Sequence, residues 1–280
     1  MPLKNVKHLI IPICFTFVLI MQIKFTKYEG TGNDFLLLNN LDGTYNSLTL
    51  EEIQRICKRR FGVGADGLIK INTSRKAAFY MDYFNADGSQ SFCGNGARCA
   101  VHFAKKIGID LSQTIQFEAI DGLHEASIVG DSVKLKMIDV NEINKKGEAF
   151  ELYTGSPHYI ELSDDISSKH VISLGRSIRF SETYKEKGIN VNVLKEIDSN
   201  HIAIATYERG VEDETLSCGT GATACALLWD FISPKALNEV FVKVKGGELS
   251  VQFERNNQGG YSNIYLIGPA TKVYDGIIEV

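Results

Sequence analysis

The sequence predicts an α/β protein built from two similar strand-rich units that face one cleft. Three observations carry that expectation. Ser91-Phe92-Cys93-Gly94-Asn95-Gly96-Ala97-Arg98-Cys99 is echoed by Leu216-Ser217-Cys218-Gly219-Thr220-Gly221-Ala222-Thr223-Ala224-Cys225, each placing a cysteine before a Gly-x-Gly-Ala turn that opens a helix-prone run. Landmarks repeat at near-equal offsets: Cys93 and Cys218 stand 125 positions apart, Gly32 and Gly155 123, and Gly62 and Gly188 126. Each half also runs from strands through glycine-rich turns to its cysteine. Two copies related by a pseudo-two-fold axis would turn both helix N-termini toward a shared cleft.

In chain order, Gln22 to Tyr28 alternates as a strand, breaks at Glu29-Gly30-Thr31-Gly32-Asn33-Asp34, and resumes as the buried strand Phe35 to Leu38. Leu50 to Arg60 has helical period, with Thr49 as N-cap and Glu51 and Glu52 in the first turn. The glycines of Phe61-Gly62-Val63-Gly64-Ala65-Asp66-Gly67 lead into a strand over Leu68 to Ile71, and a further strand spans Ala78 to Phe84. The turn Asn85-Ala86-Asp87-Gly88-Ser89 delivers the chain to Cys93, after which a helix and strands over Thr114 to Ala119, Glu125 to Val129 and Ser132 to Met137 follow. The second half repeats the plan. Leu152 to Leu162 parallels the Gly32-Asn33-Asp34-Phe35 stretch, Ile189 to Val193 and Ile202 to Tyr207 are strands, and Glu208-Arg209-Gly210 leads to Cys218 and its helix. Leu249 to Phe253, Asn263 to Ile267 and Tyr274-Asp275-Gly276 complete the unit. The expected domains are 21–138, with 269–280 returning to it, and 139–268.

Composition narrows the function. With 280 residues, 44% hydrophobic and 23% charged, the chain is long enough for two cores. A net charge of −4 leaves no basic footprint for nucleic acid, and no membrane partner is expected; a small molecule is. Six cysteines without a C-x-x-C pair argue against a disulfide scaffold, a zinc ribbon or a thioredoxin motif, and favour a reducing, cytoplasmic setting. Residues 1–20 stand apart: Lys4, Lys7 and His8 precede the apolar run Leu9 to Ile20, which is too short to span a bilayer and lacks a small-x-small cleavage site. They are read as a non-native or disordered extension, with Met21 as the start.

A cysteine at a helix N-terminus meets unpaired N–H groups and the positive end of the dipole, which favour a thiolate. Two such bases on opposite sides of one carbon are what inversion of a stereocentre requires. Bringing a thiol from about 8.5 to near 7 takes roughly 2 kcal/mol, which a favourable, partly buried helix end can supply. The pair should titrate as a coupled unit. Cys57, Cys99 and Cys225 lie within helical runs and are read as core, Asp66 and Asp87 as turn residues, and His102, His124, His170 and His201 as structural.

Gly32-Asn33-Asp34-Phe35, Phe84-Asn85-Ala86-Asp87-Gly88-Ser89, Cys93-Gly94-Asn95-Gly96-Ala97-Arg98, Glu208-Arg209-Gly210 and Cys218-Gly219-Thr220-Gly221 together resemble the diaminopimelate epimerases, from Met21 to the C-terminus. The resemblance implies two pseudo-symmetric domains, each a barrel-like, mainly antiparallel sheet around a central helix, with the active site between them and a homodimeric assembly. It implies interconversion of LL- and meso-2,6-diaminopimelate for lysine and peptidoglycan synthesis, with no cofactor and no metal. Cys93 and Cys218 match the catalytic thiols, and His158 and Glu208 match residues that support catalysis. Gly94-Asn95 and Gly219-Thr220 match the backbone donors to the reacting carboxylate. Asn33, Asn85, Asn190, Glu208 and Arg209 match residues that hold the substrate's charged groups. Ser156 stands where many members have asparagine and Gly67 where some have glutamine; both are placed on the substrate's side of the site. The competing readings are a proline or hydroxyproline racemase using the same thiol pair, against which Glu208-Arg209 and the Asn-Asp-Phe stretch speak, and a thiol-redox or metal-binding protein. Metal content and thiol titration separate the last from an epimerase. Oxidised preparations are expected to form a Cys93–Cys218 disulfide and lose activity; full activity in protein whose mass carries that bond would refute this.

Overall fold

In the computed structural model of the chain, residues 21–111, 113–257 and 259–280 are described. The reading of residues 1–20 as an extension lies outside them. The first repeat runs β1 (Gln22–Gly30), β2 (Asn33–Asn39), α1 (Leu50–Cys57), β3 (Gly67–Asn72), β4 (Tyr80–Asn85), α2 (Gly94–Lys106), β5 (Ile115–Ala119), β6 (Gly122–Val129) and β7 (Ser132–Lys136). After β8 (Asn144–Lys146), the second runs β9 (Ala149–Tyr153), β10 (Pro157–Leu162), α3 (Ser168–Arg179), β11 (Asn190–Glu196), β12 (His201–Glu208), β13 (Asp213–Thr215), α4 (Gly219–Ile232), β14 (Glu239–Val244), β15 (Gly247–Arg255) and β16 (Tyr261–Pro269). β17 (Thr271–Glu279) closes the chain.

Strand pairing makes the duplication explicit. In the first repeat β1–β2 is antiparallel, β2–β3 parallel, β3–β4 antiparallel, β4–β5 parallel, and β5–β6 and β6–β7 antiparallel. In the second, β9–β10, β10–β11, β11–β12, β12–β14, β14–β15 and β15–β16 follow the same order of senses. An antiparallel β7–β16 ladder joins the repeats into one sheet. β17 returns to pair with β1 in the first repeat, from Gln22 opposite Glu279 to Glu29 opposite Thr271.

Each repeat wraps its sheet around one helix. α2 lies against β1, β2, β3, β4, β6 and β7, and α4 against β9 to β12 and β14 to β16. The sequence permits this because both helices are small and apolar where they touch strands: Ala97, Ala100, Val101 and Ala104 in α2, and Ala222, Ala224, Ala226, Leu227 and Leu228 in α4, are all fully buried. The outer faces are covered by α1 and α3. Phe35 and Leu37 of β2 point to the α2 side, whereas Leu36 and Leu38 pack with Ile53, Ile56 and Cys57 of α1. Val191 and Val193 of β11 meet Val171 of α3 in the same way. Strands buried on both faces read as continuous apolar runs rather than alternation.

Two expectations change. The helix read as Leu50 to Arg60 ends at Cys57, because Phe61 and Gly62 fold back to donate their N–H groups to the Lys58 carbonyl. Its start is as expected, with a full capping box between Thr49 and Glu52. α3, capped by Ser167, has no counterpart in the sequence reading, since only Val171 and Gly175 of its twelve residues are buried and its apolar signal is thin. No helix among the described residues is long and apolar enough to cross a membrane.

The far end of α4 is anchored by Asp230, which is fully buried. Its carboxylate accepts from Arg255 Nε at 2.7 Å, Arg255 Nη2 at 2.9 Å, the Tyr261 hydroxyl at 2.7 Å and the Leu237 N–H at 2.6 Å. Removing the carboxylate strips Arg255, the Tyr261 hydroxyl and the Leu237 N–H of their acceptor. Asp230→Ala is expected to lose about 3 kcal/mol of stability in urea unfolding; a change below about 0.5 kcal/mol would show that the cluster does not anchor the helix.

Candidate active site

Cys93 and Cys218 occupy equivalent N-cap positions, with extended backbones at φ −132° and −121°. A helix begins at each because the Gly-x-Gly-Ala turn places no bulky side chain at its first positions. The two helix ends abut across the repeats. Asn95, in the first turn of α2, donates through Nδ2 to the Ser217 carbonyl at 3.0 Å, one residue before Cys218, and to Asn33 Oδ1 at 3.2 Å. Gly219 lets the two ends approach closely: a Cβ there would lie 2.8 Å from Leu266 Cδ2, so that side chain, which also lies beside Gly94, would have to shift. Thr31 adds a second crossing, donating its hydroxyl to Ser217 Oγ at 2.6 Å.

Arg98 sits behind this junction, fully buried. It donates to Asn95 Oδ1 at 3.0 Å, Thr31 Oγ1 at 3.3 Å and the Pro269 carbonyl at 3.3 Å. All three acceptors are neutral. Burial lowers the guanidinium pKa from its ordinary value, and the orientation of Asn95 follows from the Arg98 contact.

Around Cys93, Sγ accepts from the Gly96 N–H at 3.4 Å and donates to Asn33 Oδ1 at 3.6 Å. Asn33 Nδ2 in turn donates to Asp66 at 2.7 Å. Around Cys218, the Thr220 hydroxyl lies 3.5 Å from Sγ, His158 Nε2 lies 2.9 Å from Thr220 Oγ1, and Thr154 donates to the Thr220 carbonyl at 2.8 Å. Glu208, at the end of β12, bears on both sulfurs; burial, and then the Asp66 charge, raise its own pKa.

The expected thiol acidity is not what the site provides. Burial pushes Cys93 up to about 11, against the Gly96 amide, with Glu208 adding to the rise. Burial and then Glu208 push Cys218 up to about 12, and Cys93 adds a smaller push. The helix ends favour the thiolates, but withdrawal from water outweighs them. The two sulfurs are close enough to influence one another, and among the described residues every cysteine is a free thiol. Burial brings His158 down to about 3, so it is neutral.

The remaining expected residues form two flanking groups. On one side Asn190 accepts the Arg209 N–H at 2.8 Å and donates to Ser156 Oγ at 3.1 Å, while the Arg209 side chain donates to the Lys187 carbonyl at 2.9 Å. On the other, Asn85 accepts from the Tyr83 hydroxyl at 2.7 Å and donates to Ser89 Oγ at 3.0 Å and Ser91 Oγ at 3.2 Å. The Tyr83 ring lies over Gly67, 2.4 Å from where a Cβ would stand. Position 67 therefore offers no side chain to a ligand, and the Tyr83 hydroxyl takes the nearby space. Thr31, Tyr83, Arg98, Asn192, Thr206 and Ser217 are site residues that the sequence reading did not single out. Asn192 alone carried a signal, two residues after Asn190 on the same face of β11. Among the described residues no group of three or more histidine, cysteine or acidic side chains could hold a metal ion.

Comparisons with known proteins bear on the family and the fold. The diaminopimelate epimerase family profile matches residues 25–143 and 150–273. The chain is 44% identical over 258 residues to a diaminopimelate epimerase of Flavobacterium psychrophilum, covering 91% of this chain and 100% of that one. It is 42% identical to one of Chlorobaculum tepidum, covering 90% and 100%. Among solved structures, a Bacillus anthracis phenazine biosynthesis protein of the PhzF family superposes with a TM-score of 0.72 at 14% identity, covering 93% of this chain and 100% of that one. A hydroxyproline epimerase from Agrobacterium vitis gives 0.63 at 12% identity, covering 92% and 93%. At these identities the structural likenesses speak for the fold alone.

Because Glu208 opposes ionisation of both sulfurs, Glu208→Gln should make each thiol more acidic. Iodoacetamide is expected to label Cys93 and Cys218 of the unliganded variant about three- to tenfold faster at pH 8, for a fall of about 0.5 to 1 unit. Slower labelling at both sites would contradict the assigned electrostatics.

Proposed function

The chain belongs to the diaminopimelate epimerase family, and we propose on that footing that it interconverts LL- and meso-2,6-diaminopimelate through two bases, Cys93 and Cys218, without a cofactor. The observation that carries the mechanism is the abutting pair of cysteine-capped helix ends, bridged by Asn95. The substrate's reacting carbon lies between the sulfurs with its carboxylate toward the first-turn amides of Gly94-Asn95 and Gly219-Thr220. One sulfur, as thiolate, takes the α-proton. The electron pair left on carbon delocalises into the carboxylate, where the amides and both helix ends stabilise the developing charge more than the starting one. The other sulfur, as thiol, delivers its proton to the opposite face. One S–H bond forms and one breaks, so the enzyme ends with the roles of its cysteines exchanged, ready for the reverse direction.

The raised thiols give this scheme a condition. One proton must leave the pair to solvent before turnover, and the α-ammonium group beside the reacting carbon offsets part of the cost of that thiolate. Asn33, Asn85, Asn190, Ser156, Glu208 and Arg209 hold the charged ends of the substrate; at position 67 the contact comes from the Tyr83 hydroxyl instead of a side chain of its own. His158 supports Cys218 through Thr220. The chain divides into lobes 21–138 with 269–280 and 139–268, works as a homodimer and resides in the cytoplasm.

With LL-diaminopimelate in deuterated water, the expected product is the meso isomer carrying deuterium at one α-carbon. Cys93→Ser and Cys218→Ser should each lose at least about 100-fold in kcat with the melting temperature unchanged. Since one thiol proton must be lost, kcat/KM should rise as pH goes from 7 to 9. No deuterium incorporation, or undiminished turnover in either variant, would sink the two-base scheme.

A further inference from the structure

His158 can act in only one direction, and its buried surroundings say which. Asn192 is fully buried on β11, and its amide orientation is fixed by a carbonyl and matched by a hydroxyl. The Tyr159 carbonyl, which can only accept, lies 3.1 Å from Nδ2, and the Thr206 hydroxyl donates to Oδ1 at 2.9 Å. The second hydrogen on Nδ2 then points at His158 Nδ1, 3.0 Å away. An Nδ1 that accepts carries no proton, so the proton of a neutral imidazole sits on Nε2. Nε2 lies 2.9 Å from Thr220 Oγ1, which must accept it. The Thr220 hydroxyl proton is thereby left for Cys218 Sγ at 3.5 Å.

We infer that Asn192, held by Thr206 and the Tyr159 carbonyl, is a positioning residue that locks His158 in the Nε2–H form and so turns the Thr220 hydroxyl toward Cys218. The inference rests on Cys218 being one of the two bases. His158 then takes no proton from sulfur; it sets a donor that strengthens as Cys218 becomes thiolate. The first turn of α4 is shaped to admit the amide: a Cβ at Gly221 would stand 2.6 Å from Asn192 Oδ1 and 3.3 Å from Thr206 Oγ1. The charged or titratable groups that bear on Cys218 are Glu208, Cys93 and Cys225, and Arg209 bears on His158. None of these belongs to the Thr206–Asn192–His158 chain, so altering Asn192 to a neutral residue leaves that field in place.

The test uses the full chain labelled with 15N-histidine. Proton–nitrogen correlation spectra of the unaltered protein should show His158 protonated at Nε2 and bare at Nδ1; the opposite tautomer overturns the inference without any variant. Asn192→Asp offers an acceptor where Nδ2 donated, so the proton should move to Nδ1 and Nε2 should capture the Thr220 hydroxyl. Asn192→Leu removes the lock without adding charge. Both variants should lose about tenfold or more in kcat, as expected for a lost hydrogen bond to a charged group, while KM changes less than about twofold. Iodoacetamide should label Cys218 about fivefold more slowly at pH 8 with Cys93 labelling unchanged. Thr206→Val, a milder change, should move the same readouts in the same direction. Equal slowing at both cysteines, or a switched tautomer with unaltered kcat, would overturn the role of Asn192. If Cys218→Ser itself retained turnover, the two-base scheme would fail instead, and the tautomer measurement would still stand.

Discussion

Two helix N-termini pressed end to end are an unfavourable arrangement that the rest of the molecule exists to hold. Each end carries roughly half a positive charge, and the fully buried Arg98 guanidinium beside them is hydrogen-bonded only to neutral oxygens. Among the described residues no direct ion pair offsets that guanidinium, and Glu29 bears on it only through its field. The bonds of Asn95 to Ser217 and of Thr31 to Ser217, the close seat of Leu266 against Gly219 and the β7–β16 ladder keep the ends together. What results is a small region lined by two helix ends and a buried guanidinium, which in the proposed reaction suits a carboxylate whose charge grows.

The same enclosure works against the thiols. A helix end contributes up to about 2 kcal/mol to a thiolate. Withdrawal from water acts in the opposite sense and prevails, pushing Cys93 up to about 11, and Glu208 adds to it. The cost is sensible in chemical terms, since a sulfur that resists carrying charge is a strong base once it does carry it, and a weakly acidic carbon needs a strong base.

The duplicated plan was legible because it was written twice. Recurrence of a cysteine before Gly-x-Gly-Ala, and of glycines at matching offsets, located both helix starts, and the identical order of parallel and antiparallel pairings in the two repeats bears this out. The Thr49 cap was legible from local chemistry. α3 was not, because it buries only Val171 and Gly175 and its helicity comes from packing on β11 and β12. Thiol acidity was misjudged because a sequence displays the dipole but not the desolvation. Thr206 escaped notice because it acts on Asn192 of the adjacent strand, where no short motif records the contact; Arg98 and Tyr83 touch Asn95 and Asn85 close by in sequence, but nothing local shows that their side chains turn that way. The identity of the substrate came from resemblance, not from physics.

The pairing of β17 with β1 has a consequence for how the chain is made. The first repeat has its last strand supplied by Thr271–Glu279, and the Met21 and Val280 backbones exchange hydrogen bonds at the far end of that ladder. A ribosome releases β1 long before β17, so β1 meets this partner only after both repeats have been made. Closure of the first repeat is therefore tied to the arrival of β17, a contact far apart in sequence and correspondingly slow to form. Until then the outer edge of β1 stays open, and the nascent protein depends on prompt completion to cover it.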